Sequence, residues 1–233
     1  MWPGRGPYGK APARGQWQVE APPEGFARLD AASFAVIRGD MSAPFIVGIG
    51  GTTRAGSGTE RALTIALRTA EAAGASTRLF GGEFLARLPH FAPGPGEGNA
   101  DQIELANAVR AAHGVIIATP GYHGSLSGIV KNALDTLELT RADDQPYFAG
   151  RAVGVLVTAD GWQAAGTTLM AVRGVIHAMR GWPTPFGATL DAKTLFDANG
   201  ECRSAKDAWQ LSTVAEQVME FALMRAQTMR AGS

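Results

Sequence analysis

Short apolar runs alternate with amphipathic stretches from residue 43 onward, and this alternation constrains the fold more than any other feature. Strands are predicted at Phe45–Ile49, Ser76–Phe80, Gly114–Thr119, Val153–Ala159 and Phe186–Leu190. Helical spacing of apolar residues marks the stretches near 58–73, 100–112, 127–139, 167–179 and 205–229. Strands that alternate with helices form right-handed βαβ crossovers. The sequence therefore predicts an α/β fold, with a five-stranded parallel sheet covered by helices on both faces.

The first 42 residues lack this alternation. They are rich in Gly and Pro, show no periodicity, and contain no continuous apolar run of the kind a signal peptide needs. We predict a flexible extension over residues 1–42 and one domain over residues 43–233. Met41 stands just before the first predicted strand. Either translation begins there or the extension belongs to the natural protein, and the sequence leaves both readings open.

Charge and cysteine content exclude several classes of function. The chain has 21 basic and 21 acidic residues, a formal net charge of zero. Such a chain has no long-range field to attract nucleic acid or anionic membranes, so neither is expected as a partner. The single cysteine, Cys202, rules out an internal disulfide framework and a Cys-rich metal site. A free thiol suits a reducing compartment, and we expect a cytoplasmic protein.

The loop after the first predicted strand has the composition of a phosphate site. It reads GGTTRAGSGTERAL over residues 50–63, combining glycines, hydroxyls and Arg54 at the start of a helix. Backbone amides, hydroxyls and a helix N-terminus together favour an anion. The alternative is a turn that only caps the helix. Neither a Walker A motif nor GxGxxG is present, which disfavours ordinary nucleotide hydrolysis.

Two further loops are expected at the same edge, because ligands of parallel α/β sheets bind outside the carboxyl ends of the strands. The loop after the third strand reads TPGYHGSLSGIVKNALD over residues 119–135. We predict a sharp turn at Pro120 and Gly121, a helix capped by Ser125 or Ser127, and backbone amides that suit a planar ring. In the loop after the fourth strand, Trp162 either covers such a ring or packs on the neighbouring helix.

The loop after the third strand, residues 119–135, resembles the TPxYxxSxxGxxKNALD signature of the NAD(P)H-dependent FMN reductase family of flavodoxin-like proteins. The first loop resembles that family's FMN-phosphate loop, and LPHF at Leu88–Phe91 resembles its Leu-Pro-containing loop after strand two. The similarity spans about residues 45–190. It implies a flavodoxin-like strand order of 2-1-3-4-5, FMN as cofactor, and NADPH or NADH as electron donor.

The resemblance also assigns candidate cofactor-binding residues. It implies that the FMN phosphate is held by Thr52, Thr53, Arg54, Ser57 and Thr59. It places Pro120, Gly121, Tyr122, His123, Gly124 and Ser125 beside the isoalloxazine, with Gly161 and Trp162 approaching from the third loop. Many family members carry an acidic residue at the place of Gly121 and Asn at the place of His123. No second His or carboxylate lies at ligand spacing from His123, so no metal site is predicted.

The implied activity is hydride transfer from a nicotinamide nucleotide to FMN, and onward to a second flavin or a small oxidant. Quinones, azo dyes and chromate are candidate oxidants. Because the cofactor carries this chemistry, we predict no catalytic acid or base. Two other classes stay open. A flavodoxin-type electron carrier would bind FMN without oxidising NAD(P)H, and such carriers tend to be acidic. A non-flavin phosphate-binding module would bind no flavin.

The family resemblance further implies a homodimer or homotetramer, and a flavin-dependent monooxygenase as a possible recipient of reduced FMN. The last predicted helix offers a broad apolar face for subunit contact. This face consists of Leu211, Val214, Val218, Phe221 and Leu223. Part of it must cover the sheet, and the remainder is free for a second copy.

Overall fold

The computed structural model describes residues 33–34, 43–94 and 98–231. Most of the predicted extension over residues 1–42 therefore lies outside the described residues. So does the alternative start at Met41. Within the described part, no helix is long and apolar enough to cross a membrane.

Strands and helices alternate along the domain as the sequence predicts. The strands are β1 (Phe45–Gly50), β2 (Ser76–Phe80), β3 (Gly114–Tyr122), β4 (Ser125–Leu126), β5 (Ala152–Ala159), β6 (Trp182–Pro183) and β7 (Ala188–Asp191). The helices are α1 (Gly58–Ala72), α2 (Gly82–Arg87), α3 (Ala100–Ala111), α4 (Gly128–Thr136), α5 (Trp162–Ala178) and α6 (Ala205–Ala231). A 3₁₀ turn, Leu137–Thr140, continues α4.

The sheet has the order β2-β1-β3-β5-β6, and all pairs along this path are parallel. This is the predicted doubly wound arrangement, with the order reversing between β1 and β3. The fifth position departs from the prediction because two short strands share it. β6 pairs with the start of β5 and β7 with its end. Pro185 lies between them, and proline cannot donate to a strand ladder.

Three elements were absent from the sequence prediction. β4 adds an antiparallel pair to β3 and β6 adds a short parallel pair to β5, so the sheet has seven strands rather than five. The helix α2 and the strand β6 are too short to show a period of their own. In addition, α5 begins at Trp162, five residues before the predicted start at residue 167.

Two apolar layers cover the sheet. On one face, α1 and α6 pack against alternate strand residues such as Ile46, Ile116 and Leu156. On the other face, α2 to α5 pack against the intervening ones, such as Val47 and Val155. Both layers arise from the period-two alternation of strand side chains. Of the apolar face predicted for the last helix, Leu211, Val214, Val218 and Leu223 are fully buried in the first layer.

Phe34 belongs to the layer formed by α1 and α6, although the sequence places it in the extension. Its side chain is 1% exposed. Ser33 and Phe34 are helical. At this one described point the extension is therefore packed on the domain.

A buried guanidinium joins the end of α3 to the start of β5. Arg151 is 5% exposed. Its Nε and Nη2 donate to the carbonyls of Ala112 and Arg110, each at 2.8 Å, and Nη1 donates to those of Tyr147 and Ala149. The carbonyls of Arg110 and Ala112 lie at the C-terminus of α3, where a positive charge is favourable. Burial, followed by the charge of Arg225, lowers the pKa of Arg151.

We expect Arg151→Met to lower the free energy of unfolding by about 3 kcal/mol, because several charge-assisted hydrogen bonds are lost together. Urea denaturation followed by circular dichroism measures this change. The matched control is Arg141→Met, at an exposed arginine, where the loss should stay within about 0.5 kcal/mol. Equal losses in the two variants would contradict the role of Arg151.

Stability should also depend on the protonation of His113. Its Nδ1 accepts the Phe45 amide at 3.0 Å and so must carry no proton. Burial, followed by the charge of Arg151, lowers the pKa of His113 below the ordinary 6.5. In the unfolded chain the imidazole takes up a proton near its ordinary pKa, whereas in the folded protein it does so only at lower pH. The stabilisation from neutral His113 is therefore complete above pH 6.5, and it is lost as the pH falls toward the lowered pKa.

Urea denaturation at about pH 7.5 and about pH 5.5 tests this dependence. The wild type should lose more stability over that interval than His113→Gln, which cannot titrate there. Identical losses would show that His113 does not contribute.

Candidate functional site

The parallel register brings three loops to one edge of the sheet. Gly50, at the end of β1, is paired with Ala118 in β3. Pro120, further along β3, is paired with Thr158 in β5. The segments that follow these residues leave the sheet side by side. They are called here the first loop (51–57), the second loop (120–127) and the third loop (160–161).

The first loop ends at Ser57, the N-cap of α1, whose buried hydroxyl accepts the Glu60 amide at 3.3 Å. Thr52 accepts the Arg54 amide at 3.2 Å. Thr53 and Arg54 are exposed. Among the described residues no carboxylate forms an ion pair with Arg54. The loop thus presents one unpaired guanidinium at the N-terminus of a long helix, where a positive partial charge develops.

Thr59, the fifth residue predicted to hold the phosphate, lies in the first turn of α1 and faces the interior. Its hydroxyl lies 2.6 Å from that of Thr158 at the end of β5, and both side chains are buried. This bond joins α1 to the strand that leads into the third loop. The structure therefore gives Thr59 a bond within the protein, while Thr53 and Arg54 remain accessible.

The second loop is a β-hairpin, not a turn at Pro120 and Gly121 as the sequence predicted. β3 continues through both residues, and Tyr122 pairs with Ser125 of β4. The chain reverses at His123 and Gly124, whose φ angles are +52° and +79°. Two successive positive φ angles in a two-residue connection are typical of a type I′ turn. Ser125 therefore lies in β4, and Ser127 is the N-cap position of α4 without a side-chain cap bond.

The base of the hairpin is fixed by Thr119. Its buried hydroxyl accepts the Ser127 amide at 2.9 Å and donates to the Pro120 carbonyl at 3.0 Å. The hairpin also packs on α5, since a Cβ built on Gly124 would lie 3.3 Å from Thr167 Oγ1. The backbone of the second loop is thus held from both sides.

The third loop ends where α5 begins. Gly161 is the N-cap residue and supplies no side-chain acceptor. Trp162 follows and is 88% exposed, so it does not pack on a neighbouring helix as one alternative proposed. Tyr122 on the hairpin is 54% exposed. The edge therefore carries two exposed aromatic side chains together with the start of a helix.

A family model described as NADPH-dependent FMN reductase matches residues 44–193, which include all three loops. The chain belongs to this family. The FMN-dependent NADPH-azoreductase of Staphylococcus aureus (strain USA300) is 33% identical over 121 residues, or 51% of this chain and 61% of the relative. The aligned part therefore spans less than two thirds of that relative's length.

Two solved structures show the same fold. The flavoenzyme NAD(P)H:(acceptor) oxidoreductase FerB from Paracoccus denitrificans superposes with a TM-score of 0.62 and 19% identity, over 77% of this chain and 97% of that one. The apo form of the NADH:FMN oxidoreductase EmoB gives a TM-score of 0.57 and 23% identity, over 78% and 90%. Together with the strand order, these likenesses establish a flavodoxin-like fold.

The structure explains why this family member carries glycine at position 121. A Cβ on Gly121 would lie 2.9 Å from Thr168 Oγ1, 3.2 Å from the Ala159 Cβ and 3.3 Å from the Ala164 carbonyl oxygen. The start of α5 thus occupies the space that a side chain would need. A side chain at position 121 would therefore require α5 to shift.

Asn132 is a positioning residue that the sequence analysis did not identify as one. Its Oδ1 accepts the Phe91 amide at 2.8 Å, and its Nδ2 donates to the Pro89 carbonyl at 3.0 Å. It thereby holds the LPHF segment against α4. That segment lines a cavity of about 1340 Å³ whose other walls come from α3 and the 3₁₀ turn, not from the three loops. The sequence contained a clue to this role, because Asn132 belongs to the KNALD motif and places a polar amide on an amphipathic helix.

The groups at the sheet edge fit FMN. An exposed guanidinium and a helix N-terminus suit a phosphate, while a rigid hairpin with two exposed aromatic side chains nearby suits a planar ring. The described residues contain no cluster of three or more His, Cys, Asp or Glu side chains that could hold a metal ion.

We expect position 123 to limit the stability of the hairpin. A β-branched residue is strained at positive φ, so His123→Val should lower the free energy of unfolding by about 1–2 kcal/mol. His123→Asn should not lower it, because Asn adopts this conformation readily. Thermal unfolding of both variants measures the difference. The control is His90→Val, at an exposed position whose φ is not positive, and an equal loss there would contradict the turn assignment.

Proposed function

We propose that this protein is an NAD(P)H-dependent FMN reductase, in which electrons pass from a nicotinamide nucleotide through FMN to a second flavin or a small oxidant. The observation that carries the proposal is the meeting of the three loops at the switch point of the sheet. There an unpaired cation and a helix N-terminus lie beside a hairpin backbone and exposed aromatic rings. Membership of the FMN reductase family supports the same conclusion.

The first loop would hold the phosphate. Arg54 would supply a charge-assisted hydrogen bond, and Thr52, Thr53 and Ser57 would add hydroxyls around the N-terminus of α1. The amides of Gly58 and Thr59 have no acceptor among the described residues, which leaves them for an anion. We infer that Thr59 contributes through its amide, because its hydroxyl is bonded to Thr158.

The second and third loops would hold the isoalloxazine ring. FMN held there would supply the hydride and electron chemistry, so the chain itself need supply no acid or base. The chain's contribution is to orient the two rings and to stabilise negative charge at the ring edge. Backbone amides of residues 120–125 and 161–163 are the candidates, and Tyr122 and Trp162 would exclude water from the ring faces.

We propose an azo dye or a quinone as the oxidant, with free FMN as the alternative. The name of the S. aureus relative supports an azo compound. The exposed rings of Trp162 and Tyr122 favour a planar aromatic acceptor over an inorganic one such as chromate. If free FMN is the acceptor, a flavin-dependent monooxygenase would be the recipient of the reduced product.

We further propose a cytoplasmic homodimer or homotetramer. Trp182 and Met224 are 60% and 49% exposed, and the Trp182 ring lies 6.0 Å from that of the half-buried Phe221. This leaves an apolar patch at the β6 edge of the sheet for a second copy. Light scattering that finds only the 24.3 kDa species at micromolar concentration would contradict an oligomer.

The decisive experiment is a titration with FMN followed by anaerobic addition of NADPH and then NADH. We expect the flavin absorption to shift on binding and to bleach on addition of one nucleotide, and the faster nucleotide identifies the donor. Flavin that binds without bleaching would indicate an electron carrier instead. A protein that binds no flavin would contradict the proposal and favour a different phosphate ligand.

We expect Arg54→Ala to raise the dissociation constant of FMN by about tenfold, because one charge-assisted phosphate contact is lost. Quenching of flavin fluorescence measures this constant. The control is Arg68→Ala, which removes an equal charge from an exposed position further along α1. An unchanged FMN affinity in Arg54→Ala would remove this residue from the site.

A further inference from the structure

Glu60 lies between the first loop and the segment that follows β2, three residues after the N-cap Ser57. Its side chain is in the first turn of α1. Its Oε2 accepts a hydrogen bond from the Gly82 amide at 2.7 Å. That amide is the first of α2, whose N-cap residue, Gly81, supplies no side-chain acceptor. Glu60 therefore caps α2 from the neighbouring helix.

Glycines make room for this carboxylate and bring two backbone segments into contact. A Cβ on Gly81 would lie 2.9 Å from Glu60 Oε2, and one on Gly51 would lie 3.0 Å from the same oxygen. A Cβ on Gly82 would lie 1.7 Å from the carbonyl oxygen of Thr52. The first loop thus touches the start of α2 through its backbone, with the Glu60 carboxylate at the junction.

A carboxylate at this position is unfavourable for binding a phosphate. Among the described residues, no Lys or Arg forms an ion pair with Glu60. Its negative charge stabilises α1 through the positive partial charge at the helix N-terminus, but it repels an anion bound there. The presence of Glu60 here therefore needs another explanation, and the hydrogen bond from the Gly82 amide supplies one.

We propose that Glu60 is the residue that positions the phosphate-binding loop, by tying the N-terminus of α1 to that of α2. With the tie in place, Gly51 and Thr52 are held before an anion arrives, which lowers the ordering cost of binding. This inference rests on the proposed function, because it requires the first loop to bind the FMN phosphate. The hydrogen-bond acceptor at Glu60 matters for this role, and its charge does not.

Three substitutions separate the acceptor from the charge. Glu60→Gln keeps an oxygen at the same reach and removes the charge. Glu60→Asp keeps the charge but is one methylene too short for the Gly82 amide. Glu60→Ala removes both. The control is Glu71→Gln, which removes a charge from the other end of α1, where Glu71 bonds Thr77 away from the loop.

Dissociation constants for FMN and riboflavin, measured on the full-length protein, test the proposal, because only FMN carries the phosphate. We expect the FMN constant to rise about tenfold in Glu60→Ala and Glu60→Asp. In Glu60→Gln it should equal or fall below that of the wild type. Riboflavin should bind all variants alike, and Glu71→Gln should match the wild type for both flavins.

Two results would overturn the proposal: wild-type FMN affinity in both Glu60→Ala and Glu60→Asp, or an equal loss of affinity for FMN and riboflavin. Melting curves of the flavin-free proteins identify a variant that fails to fold. If Glu60→Ala fails, the FMN affinities of Glu60→Asp and Glu60→Gln are compared instead. A wild type that binds neither flavin would refute the proposed function, and this inference with it. If the wild type binds FMN but no more tightly than the Glu60 variants do, only the role of Glu60 is refuted and the proposed function stands.

Discussion

The site depends above all on the parallel pairing of β1, β3 and β5. Their registers place Gly50 opposite Ala118 and Pro120 opposite Thr158, so the three following loops emerge together. Because all three strands are buried on both faces, a slip of one residue would expose core side chains and is strongly disfavoured. The positions of the loops are therefore set by core packing, and the residues within them are free to serve a ligand.

In the proposed site, the hairpin would offer mainly backbone groups to the ring, whereas the first loop would offer Arg54 and hydroxyls together with helix amides to the phosphate. The hairpin at residues 121–126 has glycines where α5 approaches it, and any larger residue at 121 would meet Thr168 or Ala159. On the phosphate side, Arg54 projects from a loop whose own hydroxyls are partly bonded within the protein. A planar ring is held well by a rigid surface, and a phosphate by charged and hydroxyl donors, so the division suits one ligand with both parts.

Much of the fold could be predicted because strand burial leaves a direct mark on the sequence. β2 was predicted at its observed bounds, and β1 and β5 within one residue. The hairpin was missed because Pro120 and Gly121 read as turn residues, although they lie in the strand. The early start of α5 was missed because Gly161 and Trp162 resemble a loop. For the candidate site, the sequence indicated which loops meet at one edge of the sheet. The inward bond of Thr59 and the contacts of Glu60 and Asn132 could not be predicted, because they depend on elements distant in the chain.

The two-residue turn of the second loop restricts how this site can vary. His123 and Gly124 connect β3 to β4 with no spare residue, and Thr119 and α5 hold the hairpin at its base and tip. Inserting one residue between them would replace the type I′ turn by a three-residue connection and alter the approach of the hairpin tip to α5. An exchange of side chains at constant length leaves this contact with α5 intact, whereas growth of the loop does not.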